Sequence, residues 1–145
     1  ELYGSVVARA YELESKVARY PRFVVGDQLA EYIRATELNR VQGIPAEMGR
    51  AFAVYCRRML TVDDDGYPIV DYLGDTFREV VGNDMTRDAI EKAYDFVLRQ
   101  SVHWKEQRNT ELAFRYSLLR DYFHVRLPTW GITPDEETTD VDAFA

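Results

Sequence analysis

Residues 4–25, GSVVARAYELESKVARYPRFVV, contain the change of pattern that decides the fold. From Val6 to Ala18 the apolar residues recur every three or four positions, which is typical of an amphipathic helix. Pro21 ends that helix, because a proline cannot donate the next backbone hydrogen bond. The aromatic and β-branched residues up to Val25 favour a buried strand. The stretch therefore predicts a helix that leads through Pro21-Arg22 into a strand.

Further helices and a hairpin are predicted along the rest of the chain. The turn at residues 63–66 ends in Asp65-Gly66, which fits the positive φ of a tight hairpin. Its acidic residues do not have the spacing of a calcium loop, so we interpret the turn as a solvated tip. The predicted elements are a helix from Gln28 to about Glu37 capped by Asp27 with Leu29 and Ile33 buried, a connection at Asn39–Pro45, a short helix from Pro45 through Ala53, strands at Met59–Val62 and Pro68–Tyr72, a helix capped by Thr86 with Ala89, Ile90, Ala93 and Val97 buried, and a helix at Trp104–His124 with Leu112, Tyr116, Leu119 and Phe123 on one face.

Composition limits the classes of function. The chain has 145 residues, 46% of them hydrophobic, and a formal net charge of −7. This length predicts one domain or a large piece of one, and the negative charge argues against a general nucleic-acid binder. Cys56 is the only cysteine, which favours a reducing compartment. The sequence shows neither a membrane-spanning run nor a signal peptide, so we expect a cytoplasmic protein with no membrane partner.

The opening stretch resembles the second half of a class III nucleotide cyclase catalytic domain. Families of that class keep a pattern close to Gly-Asp-x-Val-Asn-x-Ala-x-Arg-Leu-Glu, and this chain matches it at Gly4, Val7, Ala10, Leu13 and Glu14. The following Tyr-Pro-Arg at 20–22 is similar to the bacterial pyrimidine cyclases of anti-phage defence, which make cyclic UMP or cyclic CMP. Those proteins also keep Asp-Gly, an aromatic residue and an Asp-Tyr-Leu run near the end of the domain, as at 65–67 and 71–73 here.

The chain departs from the family pattern at positions that contact the nucleotide. The resemblance places the family's Asp at Ser5, its Asn at Ala8 and its triphosphate-binding Arg at Glu12. The residue that helps to select the base falls on Glu1, whose carboxylate can accept from uracil N3–H or from the cytosine amino group. A carboxylate at position 12 would repel the triphosphate.

Two nearby cations are the candidates to replace the missing Arg. Either Arg9 takes over with Arg22, which we favour, or catalysis is supported differently, or this face does no chemistry. The family also keeps a phosphate-binding Lys on the first strand of a late hairpin. Arg57 and Arg58 are possible substitutes, although we favour their interpretation as exposed charges on a strand.

The resemblance implies an α+β, ferredoxin-like half-domain of the class III cyclase type with antiparallel strands and a late β-hairpin over residues 1–80. A pair of C-terminal helices at 81–130 and an acidic tail at 131–145, interpreted as flexible or as a strap on a partner, complete the chain. The family works as a homodimer with active sites shared between protomers, and its Mn²⁺ or Mg²⁺ ligands lie in the first half of the domain. We therefore expect this chain, which lacks an initial Met, to be a fragment or a processed product without those ligands.

Three functions follow from these observations. The leading one is a pyrimidine nucleotide cyclase, with UTP the favoured substrate, that serves anti-phage signalling. The second is a catalytically inactive cyclase-like protein that dimerises or binds a nucleotide, as Ala8 and Glu12 suggest. The third is an interaction domain whose paired C-terminal helices dock on another protein.

Overall fold

Six α-helices and one β-hairpin make up residues 2–40, 43 and 45–134, the part of the chain that this computed structural model describes. The α+β class predicted from the sequence is confirmed, with mostly helical structure and a two-stranded antiparallel sheet. The cyclase-like, ferredoxin-like arrangement stays a prediction. The elements are α1 Leu2–Glu12, continued by a π-helical turn Leu13–Val17, α2 Asp27–Glu37, α3 Ala46–Arg58, β1 Leu60–Val62, β2 Pro68–Val70, α4 Asp75–Val81, α5 Asp84–Glu106, α6 Thr110–Arg126 and a 3-10 turn Leu127–Trp130.

The segment after Pro21 pairs with the hairpin, although more briefly than predicted. Val24 forms a single antiparallel bridge with Ile69 of β2. Backbone hydrogen bonds on either side, from Val25 N to Pro68 O (2.8 Å) and from Val70 N to Phe23 O (2.9 Å), hold the segment along β2. The predicted strand is therefore one bridge long, and it lies on the opposite edge of β2 from β1.

The hairpin itself follows the sequence closely. β1 pairs with β2 in the register Leu60↔Val70, Thr61↔Ile69 and Val62↔Pro68. Gly66 has φ 83°, a conformation that a residue with a Cβ rarely adopts. The Asp65-Gly66 signal for the turn is thus confirmed.

Several predicted helix boundaries are wrong, and at α5 and α6 the reason is that an asparagine side chain caps the helix. Asn83 caps α5, accepting from Thr86 N at 2.9 Å, so Thr86 lies inside the helix that it was predicted to start. Trp104 belongs to α5, because the chain turns at Arg108 (φ 54°) and Asn109 caps α6. At α2 the cap residue is Gly26, and Asp27 is in the first turn.

The region from α2 to α4 corrects three further expectations. Leu29 is 53% exposed and is not part of the core, while Ile33 is half-buried. Pro45 does precede α3, but α3 runs to Arg58, beyond the predicted end at Ala53. The predicted connection at 39–45 lies partly outside the described residues. α4 follows Gly74.

The core lies between α5, α6, the 3-10 turn and the hairpin. Ile90, Val97, Leu119 and Phe123 are buried as predicted, whereas Ala89 and Ala93 are exposed. Tyr94 is buried instead of Ala93, because the buried face of α5 is shifted by one residue from the predicted face. The core cluster comprises Tyr20, Ile69, Leu73, Ile90, Tyr94, Val97, Leu119, Tyr122, Phe123, Leu127, Trp130 and Ile132.

Within the described part of the chain, no helix combines the length and the apolar character needed to cross a bilayer.

Candidate functional site

A groove between α1 and the segment after Pro21 brings three of the predicted site residues together. Ser5, Arg9 and Arg22 all line it, with Leu13, Phe23 and Leu29 among its apolar lining. Its volume is about 700 Å³, which lies within the range of small-molecule sites. We call it the α1 groove. Its apolar lining suits the flat face of a base, and Glu14 adds one carboxylate beside the two arginines.

Arg9 is the exposed cation of the α1 groove. Its Nη1 donates to Glu12 Oε2 at 2.8 Å, one helical turn along α1. Glu12 Oε1 also accepts from Lys16 Nζ at 3.3 Å. The hydrogen bonds from Arg9 and Lys16 lower the pKa of the Glu12 carboxyl group. Because exposed ion pairs contribute little, an anionic ligand could compete with Glu12 for Arg9.

Ala8 and Glu12 do not line the α1 groove together with Ser5 and Arg9. Ala8 is exposed, and one position along a helix rotates the side chain by about 100° away from its neighbour. The positions where the family pattern has Asn and Arg therefore face away from the groove that carries Arg9. Glu1, the predicted base-selecting residue, lies outside the described residues.

Arg22 is buried, and two carboxylates neutralise its charge. Its guanidinium pairs with Asp63, and it donates to Asp65 Oδ1 at 3.0 Å, Asp65 Oδ2 at 2.5 Å and Val17 O at 2.6 Å. Tyr20 OH donates to the same Asp63 carboxylate at 2.8 Å. Burial acts to lower the pKa of Arg22, but the hydrogen bonds that it donates to Asp65 and Asp63 outweigh this effect and raise the pKa. The Arg22 guanidinium is thus engaged inside the protein and is not a free cation.

The acidic hairpin turn has a structural role as well as an exposed tip. We call the ion pairs of Arg22 with Asp63 and Asp65 the clamp. The prediction of a solvated tip is wrong for Asp63, whose side chain is only 18% exposed. The hydrogen bond from Arg22 lowers the pKa of the Asp65 carboxyl group. The clamp ties the residues after α1 to the hairpin, so it fixes one wall of the α1 groove.

A second polar network joins the end of β2 to α6. Asp71 Oδ1 accepts from Tyr122 OH at 2.9 Å and pairs with Arg126, whose guanidinium lies 4.0 Å from the centre of the Tyr122 ring. Burial raises the pKa of Tyr122, and the charge of Asp71 raises it further. The Asp-Tyr-Leu run at 71–73 therefore anchors the hairpin on α6. Sequence reasoning singled out this run but did not find its partners.

Arg57 and Arg58, which we interpreted as exposed strand charges or as substitutes for the family's Lys, lie at the end of α3 and have acidic partners. Arg57 Nε donates to Glu37 at 3.0 Å, and Arg58 Nη2 donates to both oxygens of Glu79 at 2.8 and 2.9 Å. Arg58 also lines a groove of about 830 Å³ beside α4 and Trp130. The lining of this groove contains as many acidic residues as arginines, so it has no excess positive charge to attract an anion. Neither arginine faces the α1 groove.

Metal binding has no candidate in the described part of the chain. No three His, Cys, Asp or Glu side chains there are arranged to hold an ion. The residues present thus do not fit the Mn²⁺ or Mg²⁺ of the cyclase resemblance, whose ligands the sequence placed elsewhere in the domain.

Comparison with known proteins gives no independent assignment. No protein-family model, no curated protein and no solved structure matches this chain.

Proposed function

We propose that this chain forms one wall of a nucleotide cyclase active site, with UTP as the favoured substrate. The observation that carries the proposal is that Ser5, Arg9 and Arg22 meet at one groove of about 700 Å³. The motif match at residues 4–14 supports the same assignment. In the complete enzyme, a second protomer and Mn²⁺ or Mg²⁺ would supply the remaining groups, and the product would serve as a defence signal.

The reaction needs a cation near the reacting phosphates, and Arg9 is the residue that we assign to this role. The 3′ hydroxyl of the ribose gives its proton to water, its oxygen attacks the α-phosphorus to form a new P–O bond, and the bond to pyrophosphate breaks so that pyrophosphate leaves with the electron pair. Negative charge grows on the phosphate oxygens during this step, and a fixed cation stabilises it more than it stabilises the substrate. Arg9 is the exposed guanidinium of the groove, and its pair with Glu12 is accessible to solvent. We derive no step through a metal ion from these residues.

Arg22 has a positioning role in this proposal. Its Nη1 and Nη2 groups donate to Asp63, Asp65 and Val17, so Arg22 holds the groove wall in place instead of contacting phosphate. A change at Arg22 should lower stability first and activity as a consequence. A change at Arg9 should lower activity alone.

The test is the activity of the complete protein with each of the four nucleoside triphosphates and Mn²⁺, with products separated by chromatography. We expect cyclic UMP from UTP and a rate at least about tenfold lower for Arg9→Ala, since removal of one charge-stabilising donor typically costs that or more. Arg34→Ala, an exposed arginine of α2 that does not line the groove, is the matched control. Absence of any cyclic pyrimidine product, or full activity of Arg9→Ala, would contradict the proposal.

A second candidate is a cyclase-like protein that binds a nucleotide or dimerises without turnover. The observation that favours it is the Glu12 carboxylate, which neutralises Arg9 in the place where the family has a cation. It predicts that UTP binds without forming a product and that Glu12→Gln tightens binding, because Arg9 is then free for the phosphates. Calorimetric titration of the wild type and of Glu12→Gln with a non-hydrolysable UTP analogue measures this binding, and the presence or absence of cyclic UMP in the turnover assay separates the two candidates.

A further inference from the structure

Gln28 is a polar residue of the α1 groove that the proposed reaction does not use. It lies in the first turn of α2, lines the groove and is exposed. Within the described part of the chain, its side chain has no hydrogen-bond partner. A primary amide carries an acceptor oxygen and a donor nitrogen side by side, so Gln28 can form two hydrogen bonds to one ligand.

The backbone that carries Gln28 is fixed beside the groove. A Cβ at Gly26 would lie 3.2 Å from Leu13 Cδ1, so α2 begins in close contact with the π-helical turn. Leu29 N and Ala30 N donate to Gly26 O at 2.9 and 3.1 Å, which holds the first turn of α2 on this cap. Leu13 lines the groove as well. The amide of Gln28 is therefore attached to a rigid part of the groove wall.

Phe23 gives the groove a flat apolar surface. Its side chain lines the groove and is 65% exposed. The ring makes an edge-to-face contact with Tyr72, with 5.8 Å between the ring centres and 89° between the planes. Phe23 O also accepts from Val70 N at 2.9 Å. The ring is thus held in place without being covered, and bases stack on aromatic side chains presented in this way.

The amide of Gln28 is complementary to the edge of a pyrimidine base. Uracil carries its N3–H donor next to the O4 acceptor, so Gln28 Oε1 can accept from N3–H while Nε2 donates to O4. Glu14, which also lines the groove, offers acceptors only and can pair with uracil at N3–H alone. Gln28 is therefore the better match of the two for this edge.

We propose that Gln28 recognises the base of the bound nucleotide, with its amide on N3–H and O4 of a uracil ring that stacks on Phe23. The choice of uracil rests on the proposed function, because the same amide turned over would pair with N3 and the amino group of cytosine. In this arrangement a single chain recognises the base through a residue other than Glu1.

NMR titration of the complete protein with UMP and with 3-methyl-UMP tests the contact. The methyl group on N3 removes one hydrogen bond and obstructs the other, so the wild type should bind 3-methyl-UMP about tenfold more weakly than UMP. Gln28→Leu has a side chain of similar size without donor or acceptor. This variant should bind both ligands with one affinity, about tenfold below that of the wild type for UMP, because two changes to one contact are not additive.

Two further variants separate edge recognition from stacking and from general effects. Phe23→Leu should weaken the binding of both ligands by the same factor, since it removes the stacking surface and leaves the edge contact. Gln107→Leu is the matched control, because Gln107 is an exposed glutamine at the end of α5 that does not line the groove. It should keep the affinities of the wild type. Circular dichroism spectra check that all three variants remain folded.

Three results would overturn the inference. The first is a wild type that does not bind UMP, and the second is a wild type that binds UMP and 3-methyl-UMP equally. The third is a Gln28→Leu variant that keeps the preference for UMP. If cyclic UMP forms but Gln28→Leu keeps that preference, this inference alone fails. If UMP binds through Gln28 but UTP is not turned over, the cyclase proposal alone fails.

Discussion

Replacing Arg22 by Met should destabilise the protein strongly, because it removes the cation from a buried cluster. Arg22 is 8% exposed, and the Asp63 side chain that it leaves behind is 18% exposed. Breaking a buried ion pair by removing one partner typically costs 3–5 kcal/mol, since the remaining charge stays desolvated. Asp65 is 41% exposed and can turn towards water, so we place the loss near the lower end, at about 3 kcal/mol. For a chain of this length that corresponds to a fall in Tm of roughly 10 °C.

The assay is urea denaturation followed by circular dichroism, with the free energy of unfolding extrapolated to water. Arg19→Met is the matched control, because Arg19 is a nearby arginine with an exposed side chain and should cost less than about 0.5 kcal/mol. The pH dependence gives a second readout. Arg22 lowers the pKa of Asp65 in the folded protein, so the stabilisation is present above the unfolded pKa of about 4 and is lost as pH falls through the folded value.

The difference between wild type and Arg22→Met should therefore shrink on acidification. A loss below about 1 kcal/mol at neutral pH would refute the clamp, because it is the size expected for an exposed pair. A difference that does not change between pH 7 and pH 3 would also refute it. If Arg22→Met loses nucleotide turnover but keeps the stability of the wild type, Arg22 acts directly in catalysis and not through the position of the groove wall.

Three further predictions concern the core. Tyr122→Phe removes the hydroxyl group that donates to Asp71 and accepts from Leu73 N, and urea denaturation should show a loss of about 1–3 kcal/mol, because the Leu73 amide is left buried without a partner. Asn83→Ala removes the side-chain cap of α5 and should cost about 1 kcal/mol in the same assay; no loss would show that the cap is dispensable. Burial raises the pKa of Tyr72 to about 12 and raises that of Tyr122 as well, so absorbance at 295 nm should show that these residues ionise later than exposed tyrosines. Since the unfolded chain ionises near pH 10, the free energy of unfolding should decrease as pH rises above that value.

Local chemistry explains which parts of the fold the sequence predicts. The hairpin is recognisable because a two-residue signal, Asp65-Gly66, is enough to specify its turn. The helix after Gly4 and its end before Pro21 follow from periodicity and from the geometry of proline. Helix starts are less certain, because two polar residues within one turn compete for the same amide groups. At α5 the capping residue is Asn83, and the pattern of apolar residues does not show whether Asn83 or Thr86 caps the helix.

The orientation of a helix depends on what packs against it. Leu29 and Phe52 both look like core residues in the sequence, and both are exposed. The buried residues of α3 are the small ones, Gly49 and Ala53, which carry little apolar signal in the sequence. Periodicity identifies an apolar face, but it does not tell whether that face meets the chain's own core or another molecule.

The role of Arg22 depends on contacts that are more than 40 residues apart in the chain, which explains why sequence reasoning placed it in the active site. An arginine after a Tyr-Pro pair and next to a predicted pocket looks like a phosphate ligand, and the acidic turn at 63–65 looks like solvated surface. Each of these interpretations is reasonable for one partner considered alone. In the structure the two segments bind each other, because the acidic turn neutralises the charge of Arg22. The positive charge available to a ligand in the α1 groove is therefore that of Arg9.

The catalytic hypothesis therefore depends on whether a triphosphate competes successfully with Glu12 for the Arg9 guanidinium. Glu12→Gln removes the competitor while it keeps the size of the side chain, so it should increase nucleotide affinity if Arg9 binds phosphate, and it should have no effect if Arg9 serves only the surface of α1.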